Sequence, residues 1–421
     1  MKLNVGRTLL LGFGFFGISI ITGINKSYVG PFLGSDFGLK ANEVSIIVTL
    51  ATIITFLIQP MIGSVSDKTR TRFGRRMPFI IIFAPLAALG FALLPVLVQP
   101  GRLWGFVAVL LITTVALALF RTPVIALMPD ITPSQFRSQA NGLINLMGGI
   151  GGILAFAAGA YLYGLNRALP FFAAAVALVL ACAIVVWRIK EPKEGDAQAV
   201  ESRPGLIHSL RVVLAEREKS ALLLFLAIFA WFVGYNAVET FFTLYGVKML
   251  KLQPNSAAFL LAFLALMFVL FAVPSGYIAG RFGRRKTILT GIAILGILLA
   301  LIRVMPVELQ TSGAVLPVVL ALVGIAWALI NVNSLAMVVD VAPQTELGTY
   351  TGLYYFFSTA AAVIGPILAG YLIEAMGGDY GMIFVIAPIT LVFAFVFMLG
   401  VRRGERAEPV GGSFKLDLTN R

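Results

Sequence analysis

Charged residues are scarce in this chain. Asp, Glu, Lys and Arg together make up 12% of its 421 residues, whereas hydrophobic residues make up 59%. Soluble domains have about 25% charged and roughly 45–50% apolar residues. A water-soluble core cannot absorb such an excess of apolar side chains, so the composition excludes an ordinary soluble protein. Uncharged apolar runs of about 20 residues, the length that crosses a bilayer core, recur along the chain.

Cysteine and histidine are almost absent. Cys182 is the only cysteine, so an intramolecular disulfide is impossible, and its place inside an apolar run favours a packing role. His208 is the only histidine, which excludes a His-based catalytic dyad or metal site. No other residues form a recognisable catalytic constellation. We therefore predict no enzymatic activity, no metal site and no cofactor.

Twelve apolar runs predict an all-α membrane protein with twelve transmembrane helices. The first run follows a basic start that resembles a signal peptide, but no small-residue cleavage site follows it, so we interpret it as a helix. The runs cover residues 8–28, 43–65, 78–99, 103–129, 138–165, 168–188, 220–247, 255–279, 287–305, 313–339, 347–373 and 380–401.

The placement of the basic residues predicts the orientation. A net charge of +13 is also typical of nucleic-acid binding, but 24 of the 32 Lys and Arg fall on the side that holds both termini. Six fall on the other side, and Lys26 and Arg121 lie at a helix end and inside a helix. This bias places both termini in the cytoplasm of a multi-pass cell-membrane protein, plasma or inner. We expect the basic loops to lie against anionic headgroups, with no nucleic-acid partner.

A basic loop occurs twice in the chain. Arg72-Phe73-Gly74-Arg75-Arg76 returns 209 residues later as Arg281-Phe282-Gly283-Arg284-Arg285. Further matches lie at an offset of 210, each at the same place within its half. They are Asp130-x-x-Pro133 with Asp340-x-x-Pro343, Gly142-Leu143 with Gly352-Leu353, and Tyr161-Leu162 with Tyr371-Leu372. Duplication about half a chain apart predicts two related halves.

The hydrophilic stretch 189–219 divides the spans six and six. It predicts an N-terminal six-helix bundle over 1–188, a cytoplasmic linker over 189–219, a C-terminal bundle over 220–402 and a cytoplasmic tail over 403–421. Residues 206–215 are apolar and basic enough for a short interfacial helix. Two pseudo-symmetric bundles of six helices are typical of a solute carrier with its binding site between the halves.

The loop between the second and third predicted helices resembles the signature of the major facilitator superfamily. It has Gly63-x-x-x-Asp67-Lys68 and, after three extra residues, Gly74-Arg75-Arg76. Longer segments resemble the sucrose and glycoside symporters, the solute-carrier-45-like branch. They are residues 59–63, 66–80, 126–142, 145–152 and 231–239. The resemblance implies the major facilitator fold and proton-coupled sugar symport.

The chain departs from this pattern at two places. The second-half loop has Gly280 where the first half has Asp67, so its charge latch is incomplete. Plant sucrose carriers have an arginine five residues before the aspartate that ends helix four. That position is Ile125 here, and the intramembrane arginine is Arg121, one turn earlier. The plant residue's role therefore does not carry over directly.

Charged residues inside spans are costly and usually face a cavity or a partner. Glu239 in the seventh helix is the first candidate for proton coupling, because burial disfavours its charged form and a nearby cation favours it. Asp130 is the alternative, although its place at a helix end beside Pro133, matched by Asp340, suits a gating salt bridge better. Arg121 is interpreted as a substrate or carboxylate contact, or as a tether to helix-end carbonyls.

Polar side chains in mid-span predict a sugar site. Sugars need spaced donors and acceptors and an aromatic face, and together these residues suit a neutral polyhydroxyl solute better than an apolar cation. Taken singly, each is more often an interhelical hydrogen bond. The predicted substrate-binding residues are Gln59, Arg121, Asn141, Asn145, Tyr235, Asn236, Glu239, Asn331, Ser334, Tyr354 and Ser358.

The charged loop residues predict a cytoplasmic latch that holds the outward-open state and is released on rocking. The alternative is that they serve membrane topology alone, but topology requires no acid. The predicted gating residues are Asp67, Arg70, Arg72, Arg75, Arg76, Arg284 and Asp340.

The leading hypothesis is a secondary active transporter, a proton-coupled symporter of a disaccharide or glycoside that works by alternating access. Its expected partners are a sugar, protons and the bilayer, and we expect a monomer. A proton-coupled exporter of small amphipathic molecules is the first alternative. Sodium coupling would require a cluster of acids on the first-half helices, and a non-transporting membrane receptor would require a sizeable soluble domain.

Overall fold

The computed structural model describes residues 4–132, 136–189, 191, 206–215, 218–343 and 346–403. In these ranges the chain is helical and has no β-strand. Pro133, most of the predicted linker and residues 404–421 of the tail lie outside them. The helices are α1 (Val5–Pro31), α2 (Ala41–Lys68), α3 (Met77–Leu93), α4 (Leu103–Ile131), α5 (Arg137–Leu165), α6 (Leu169–Arg188), α7 (Leu206–Ala215), α8 (Ser220–Lys248), α9 (Pro254–Phe282), α10 (Arg284–Val304), α11 (Val307–Thr311), α12 (Val315–Val341), α13 (Leu347–Ala375) and α14 (Ile383–Gly400).

Twelve of these helices are long and apolar enough to cross a membrane, which confirms the predicted number. Only α7 and α11 are short. The π-helical turn Phe32–Asp36 continues α1, so the first span reaches Asp36. Large apolar side chains cover the outside of the bundle. Trp104 and Trp187, near span ends, are 79% and 75% exposed, as expected for aromatic residues at the membrane–water interface.

Glycines allow the helices of the first half to approach closely. A Cβ on Gly151 of α5 would lie 2.6 Å from the carbonyl oxygen of Phe16 in α1, and one on Gly23 would lie 2.5 Å from Ala155 Cβ. Such contacts exclude any larger residue without a shift of the helices. The run Gly148-Gly149-x-Gly151-Gly152 therefore includes a packing site between α1 and α5.

Four helix pairs make the main contacts between the two halves: α5 with α9, α2 with α13, α1 with α8, and α1 with α9. In each pair, the helix named first belongs to the first six spans and the helix named second belongs to the last six. We call the end that holds loop residues 69–76 and Gly283 the basic end, and the other end the opposite end. Which end of the bundle is open follows from where along their length these helices touch.

The bundle is closed at the opposite end. The N–H of Ala41, at the start of α2, donates to Glu374 Oε1 of α13 at 2.8 Å. One turn away, a Cβ on Gly370 would lie 2.6 Å from Ser45 Oγ and 2.8 Å from the Ala41 oxygen. In the pair of α5 and α9, a Cβ on Gly164 would meet Asn255 at 3.0 Å.

The same helices separate toward the basic end. A gap of about 180 Å³ lies between α2 and α13 at the level of Phe56 and Phe356. Gly142 shares a face of α5 with Gly149, and Gly352 shares a face of α13 with Gly370. A Cβ on Gly142 or Gly352 meets nothing within 4 Å, whereas one on Gly149 would lie 2.7 Å from Val269. The structure is therefore open at the basic end.

Candidate functional site

An ion pair joins the two halves inside the bundle. Lys26 Nζ of α1 lies 2.7 Å from Glu239 Oε2 of α8, with the two side chains 40% and 19% exposed. Lys26 therefore lies inside the first span, which runs to Asp36, and not at its end as expected from the apolar run. Glu239 was predicted as a site residue, but its partner was not. The sequence signal that could have identified this partner is a charged residue, Lys26, eight residues past the middle of α1.

Aromatic rings adjoin this ion pair. Tyr235 lies one turn before Glu239 and donates its hydroxyl proton to Glu239 Oε1 at 3.4 Å. The Tyr235 ring stacks on Trp327 of α12, with centroids 3.8 Å apart and an interplanar angle of 4°. Phe232 packs edge-on against Trp327 at 5.4 Å. The second half thus presents a rigid aromatic wall beside the carboxylate, and sequence reasoning missed Trp327.

Two predicted residues of the second half meet each other. The hydroxyls of Ser334 in α12 and Tyr354 in α13 are 3.2 Å apart. Ser334 is buried and also donates to the Asn331 carbonyl at 2.8 Å. Asn331 itself is half-buried. Tyr354 packs edge-on against the exposed Tyr355 at 5.3 Å, and the hydroxyl pair itself is buried.

Arg121 lies on α4 in the basic-end part of its span. Its side chain is exposed, and the guanidinium interacts electrostatically with Tyr355 of the other half. A charged group avoids the lipid face, and Tyr355 belongs to α13, so Arg121 faces the space between the halves. We call this space, which the ion pair of Lys26 with Glu239 bridges, the central cavity.

Five further predicted binding residues lie on α2, α5, α8 and α13. Asn141 and Asn145 are exposed on α5, and Gln59 is half-buried on α2. Asn236 donates its amide to the Phe232 carbonyl at 2.7 Å, and Ser358 donates to the Tyr355 carbonyl at 3.1 Å. These two residues bond to their own helices, and the role of all five in binding stays a prediction.

The loop after α2 forms a charge cluster at the basic end. Arg76 pairs with Asp67 and, at 3.0 Å, with Asp130 of α4. Arg75 lies 3.4 Å from Asp130 and 3.6 Å from Glu191, which follows α6. The Arg76 N–H also donates to Glu191 Oε2 at 2.9 Å. Glu191 was not predicted, because sequence alone does not show that the end of α6 returns to this loop.

Gly74 is required at the centre of this cluster. Its φ of 113° lies in the region that favours glycine. A Cβ there would also lie 2.3 Å from Glu191 Oε2. Because Gly74 has no side chain, the buried carboxylate of Glu191 can pack against the loop.

The second half keeps part of the cluster. Arg284 pairs with Asp340, the counterparts of Arg75 and Asp130. Arg285 donates to the carbonyl of Met398 at 3.2 Å and also to that of Leu399, at the end of α14. Arg285, the second arginine of this loop, therefore binds carbonyl oxygens at a helix end.

Two predicted gating residues stay within their own loop. Arg70 donates to the carbonyls of Asp67 at 2.6 Å and Thr69 at 3.0 Å, and Arg72 lies over the ring of Phe73 at 4.7 Å. The ion pairs of Asp130 with Arg75 and Arg76, of Asp67 with Arg76, and of Arg284 with Asp340 each join residues of one half. This arrangement agrees with an open basic end, and the gating role of these residues stays a prediction.

The comparisons with known proteins identify the family. The model of the family described as MFS/sugar transport protein matches residues 10–401. The chain belongs to this family. Its fold is that of known major facilitator transporters: the crystal structure of the nucleoside transporter NupG superimposes with a TM-score of 0.73 at 16% identity, covering 95% of this chain and 100% of that one.

Three curated relatives that transport solutes or sugars by name each match part of the chain. The membrane-associated transporter protein of Mus musculus is 30% identical over 47% of this chain and 41% of its own length. The proton-associated sugar transporter A of Homo sapiens is 40% identical over 19% of this chain and 10% of its own. A sucrose transport protein of Arabidopsis thaliana is 26% identical over 34% and 31%. The chain thus spans less than half the length of these relatives, and the resemblance to the sucrose and glycoside symporter branch is confirmed.

Proposed function

We propose that this transporter carries a sugar, a disaccharide or related glycoside, together with protons by alternating access. We place it in the cell membrane with both termini in the cytoplasm, so that the basic end faces the cytoplasm. The observation that carries the proposal is the ion pair of Lys26 with Glu239, which joins the two halves beside an aromatic wall. The names of the sugar-transporting relatives support the substrate class.

The walls of the central cavity suit a sugar. The half-buried ring of Tyr235, held by its stack on the buried Trp327, offers an apolar face for the C–H side of a pyranose ring. Glu239 and the Tyr235 hydroxyl offer polar groups beside it. Binding sites for small polar ligands combine such apolar surface with a few placed polar groups. Because these groups belong to the second half, closure on first-half side chains would complete the site.

Glu239 carries the proton in this proposal, and Lys26 releases it. When the opposite end is open, Lys26 is drawn away with the first half and Glu239 takes a proton from that side. Closure of the opposite end brings Lys26 to Glu239, where the ion pair takes the place of the proton. The proton then leaves toward the open basic end, which couples its movement to that of the sugar.

Uptake by proteoliposomes tests this proposal. Radiolabelled sucrose, maltose and melibiose are offered with and without an inward proton gradient, and accumulation of any one of them above equilibrium is expected only with the gradient. Uptake that ignores the gradient would refute proton coupling. Folded protein that takes up none of the three would instead favour the exporter hypothesis.

Variants separate the two charges. Glu239→Gln should abolish gradient-driven accumulation and spare counterflow, because the neutral side chain still permits rocking. Lys26→Met should also reduce accumulation, since Glu239 then keeps its proton. Lys248→Met, at the end of the same helix as Glu239, is the matched control. Unchanged accumulation in Glu239→Gln would move the proton site to Asp130.

A further inference from the structure

The first turn of α2 has a backbone donor that its own helix does not serve. The first N–H groups of a helix have no partner inside the helix, so side chains or water must accept from them. In this turn the N–H of Lys40 donates to Glu43 Oε2 at 2.8 Å, and the N–H of Glu43 donates to Asn42 Oδ1 at 3.0 Å. The N–H of Ala41 donates instead to Glu374 Oε1 of α13 at 2.8 Å. A carboxylate of the second half therefore caps a helix of the first half.

The equivalent junction of the bundle, that of α5 with α9, lacks both partners of this bond. The helices α5 and α13 correspond at the offset of 210, so Gly164 of α5 is the counterpart of Glu374. Its partner helix α9 begins with Pro254, which has no N–H. A Cβ on Gly164 would lie 3.0 Å from Asn255 Nδ2, so these helix ends pack closely without the donor or the carboxylate. The bond between Ala41 and Glu374 is thus a specific feature of one junction, and close packing alone does not require it.

We propose that Glu374 is a gating residue, a latch that holds the opposite end closed. Donor and acceptor belong to different halves, so the bond forms only when α2 and α13 meet at this end. The charge of Glu374 also lies at the N-terminus of α2, where the helix dipole favours an anion. The latch therefore stabilises the state that is open at the basic end. Glu374 belongs to neither the proposed sugar site nor the proposed proton site, so this role is independent of both.

The packing beside the latch means that a small separation of the helices breaks it. Gly370 lies one turn before Glu374, and a Cβ there would lie 2.8 Å from the Ala41 carbonyl oxygen. Ser45 and Thr49 follow Ala41 on the same face of α2 and are 0% and 2% exposed. Movement of α2 away from α13 at this end would expose both side chains. The Thr49 hydroxyl makes no hydrogen bond within the described residues, so a cysteine can replace it without the loss of a bond.

Alkylation of a thiol at position 49 tests the latch. The full chain carries Thr49→Cys together with Cys182→Ala, and it reacts with a maleimide in the absence of any substrate. The rate follows the population in which the opposite end is open. Glu374→Ala should raise this rate about tenfold, the low end for a hydrogen bond to a charged group. Glu374→Gln keeps an acceptor without the charge and should raise it about two- to fivefold. Glu308→Ala removes an exposed acid at the same end and should leave the rate unchanged.

A proline variant separates the hydrogen bond from other effects of the side chain. Ala41→Pro removes the donor at the first position of a helix, where proline is favoured. Lys40 already has a ψ of 157°, the extended backbone that suits a residue before proline. The proline ring would meet the Glu374 carboxylate, so this variant should raise the rate at least as much as Glu374→Ala. The double variant should be no faster than Glu374→Ala alone, because both changes act on one bond.

A second thiol distinguishes opening of the gate from a general loss of structure. Thr359 lines the gap between α2 and α13 toward the basic end, and alkylation of Thr359→Cys should not become faster in Glu374→Ala. Faster alkylation at both positions would refute the latch in favour of a loosened fold. An unchanged rate at position 49 in Glu374→Ala would refute it outright. Rates that multiply in the double variant would show that Ala41 and Glu374 act separately. None of these measurements uses a sugar or a proton gradient, so a failure here leaves the proposed function untouched.

Discussion

Gly370 offers the sharpest test of the state seen here. It lies on α13 where this helix crosses α2 at the opposite end. A Cβ at this position would lie 2.6 Å from Ser45 Oγ, 2.8 Å from the Ala41 carbonyl oxygen and 2.9 Å from Ser45 Cβ. The Ser45 hydroxyl can rotate away, but the carbonyl oxygen and Cβ cannot. Gly370→Ala must therefore push the two helices apart at this end.

The magnitude follows from the overlap. Extra methyl groups in a packed site typically cost about 1–3 kcal/mol. This cost falls only on the conformation in which the opposite end is closed, because the helices separate there when it opens. A difference of 1–3 kcal/mol between two states changes their ratio by about 5- to 150-fold. We expect Gly370→Ala to shift the population by that factor toward the conformation open at the opposite end.

Distances between spin labels measure this shift. Arg102 in the first half and Ser312 in the second half are exposed at the opposite end and serve as label sites after conversion to cysteine. Cys182 is replaced by alanine in the same background, so that only the two labels report. Double electron–electron resonance should show a longer-distance population in Gly370→Ala that is small or absent without it.

Gly352→Ala is the matched control. It lies on the same face of α13, five turns away, and a Cβ there meets nothing within 4 Å. Its distance distribution should equal that of the unsubstituted background. If Gly370→Ala also leaves the distribution unchanged, the contact of α2 with α13 does not determine the state, and the assignment of the closed end is wrong.

Three further predictions use other contacts. Gly352→Trp should block closure of the basic end, so transport is lost while the label distance across the opposite end stays short. Gly74→Ala should destabilise the protein by about 2 kcal/mol or more, measured as a lower midpoint of thermal unfolding. Gly283→Ala should cost less, because φ there is 92° but a Cβ meets nothing within 4 Å. Equal losses in the two variants would show that the contact of Gly74 with Glu191 adds nothing to the cost. Trp327→Leu should lower sugar affinity about tenfold without changing the proton dependence of uptake, and an unchanged affinity would exclude the aromatic wall from the site.

The parts of the fold that depend on local chemistry could be predicted from the sequence. Span length, the bias of basic residues and the repeated loop are properties of neighbouring residues, and the twelve helices follow from them. Partners distant in sequence could not be predicted. Glu191 joins Arg75 and Glu374 joins Ala41 only because helices return to the same end. Such pairings depend on helix rotation and tilt, which apolar periodicity leaves open in helices that are apolar all round.

The candidate site shows the same limit. Glu239 and Tyr235 could be predicted as members because polar residues inside a span are unusual. The apolar run stops near Lys26 and so predicts a helix end there, although the helix continues through a π-helical turn to Asp36. Trp327 looked like any buried aromatic residue. Its relevance comes from the stack with Tyr235, a contact between two helices that lie more than 90 residues apart in the chain.

The energy of the ion pair between Lys26 and Glu239 indicates how coupling works. The pair is partly exposed, so its loss on protonation changes the free energy by about 1 kcal/mol. Moving a two-state equilibrium from 1:99 to 99:1 takes about 5.5 kcal/mol. Protonation alone therefore cannot drive the transporter from one state to the other, and the remaining free energy must come from the substrate. A sugar that binds across both halves would supply it only when the proton is also bound. Because the sugar and the proton must both be bound, neither of them crosses the membrane alone.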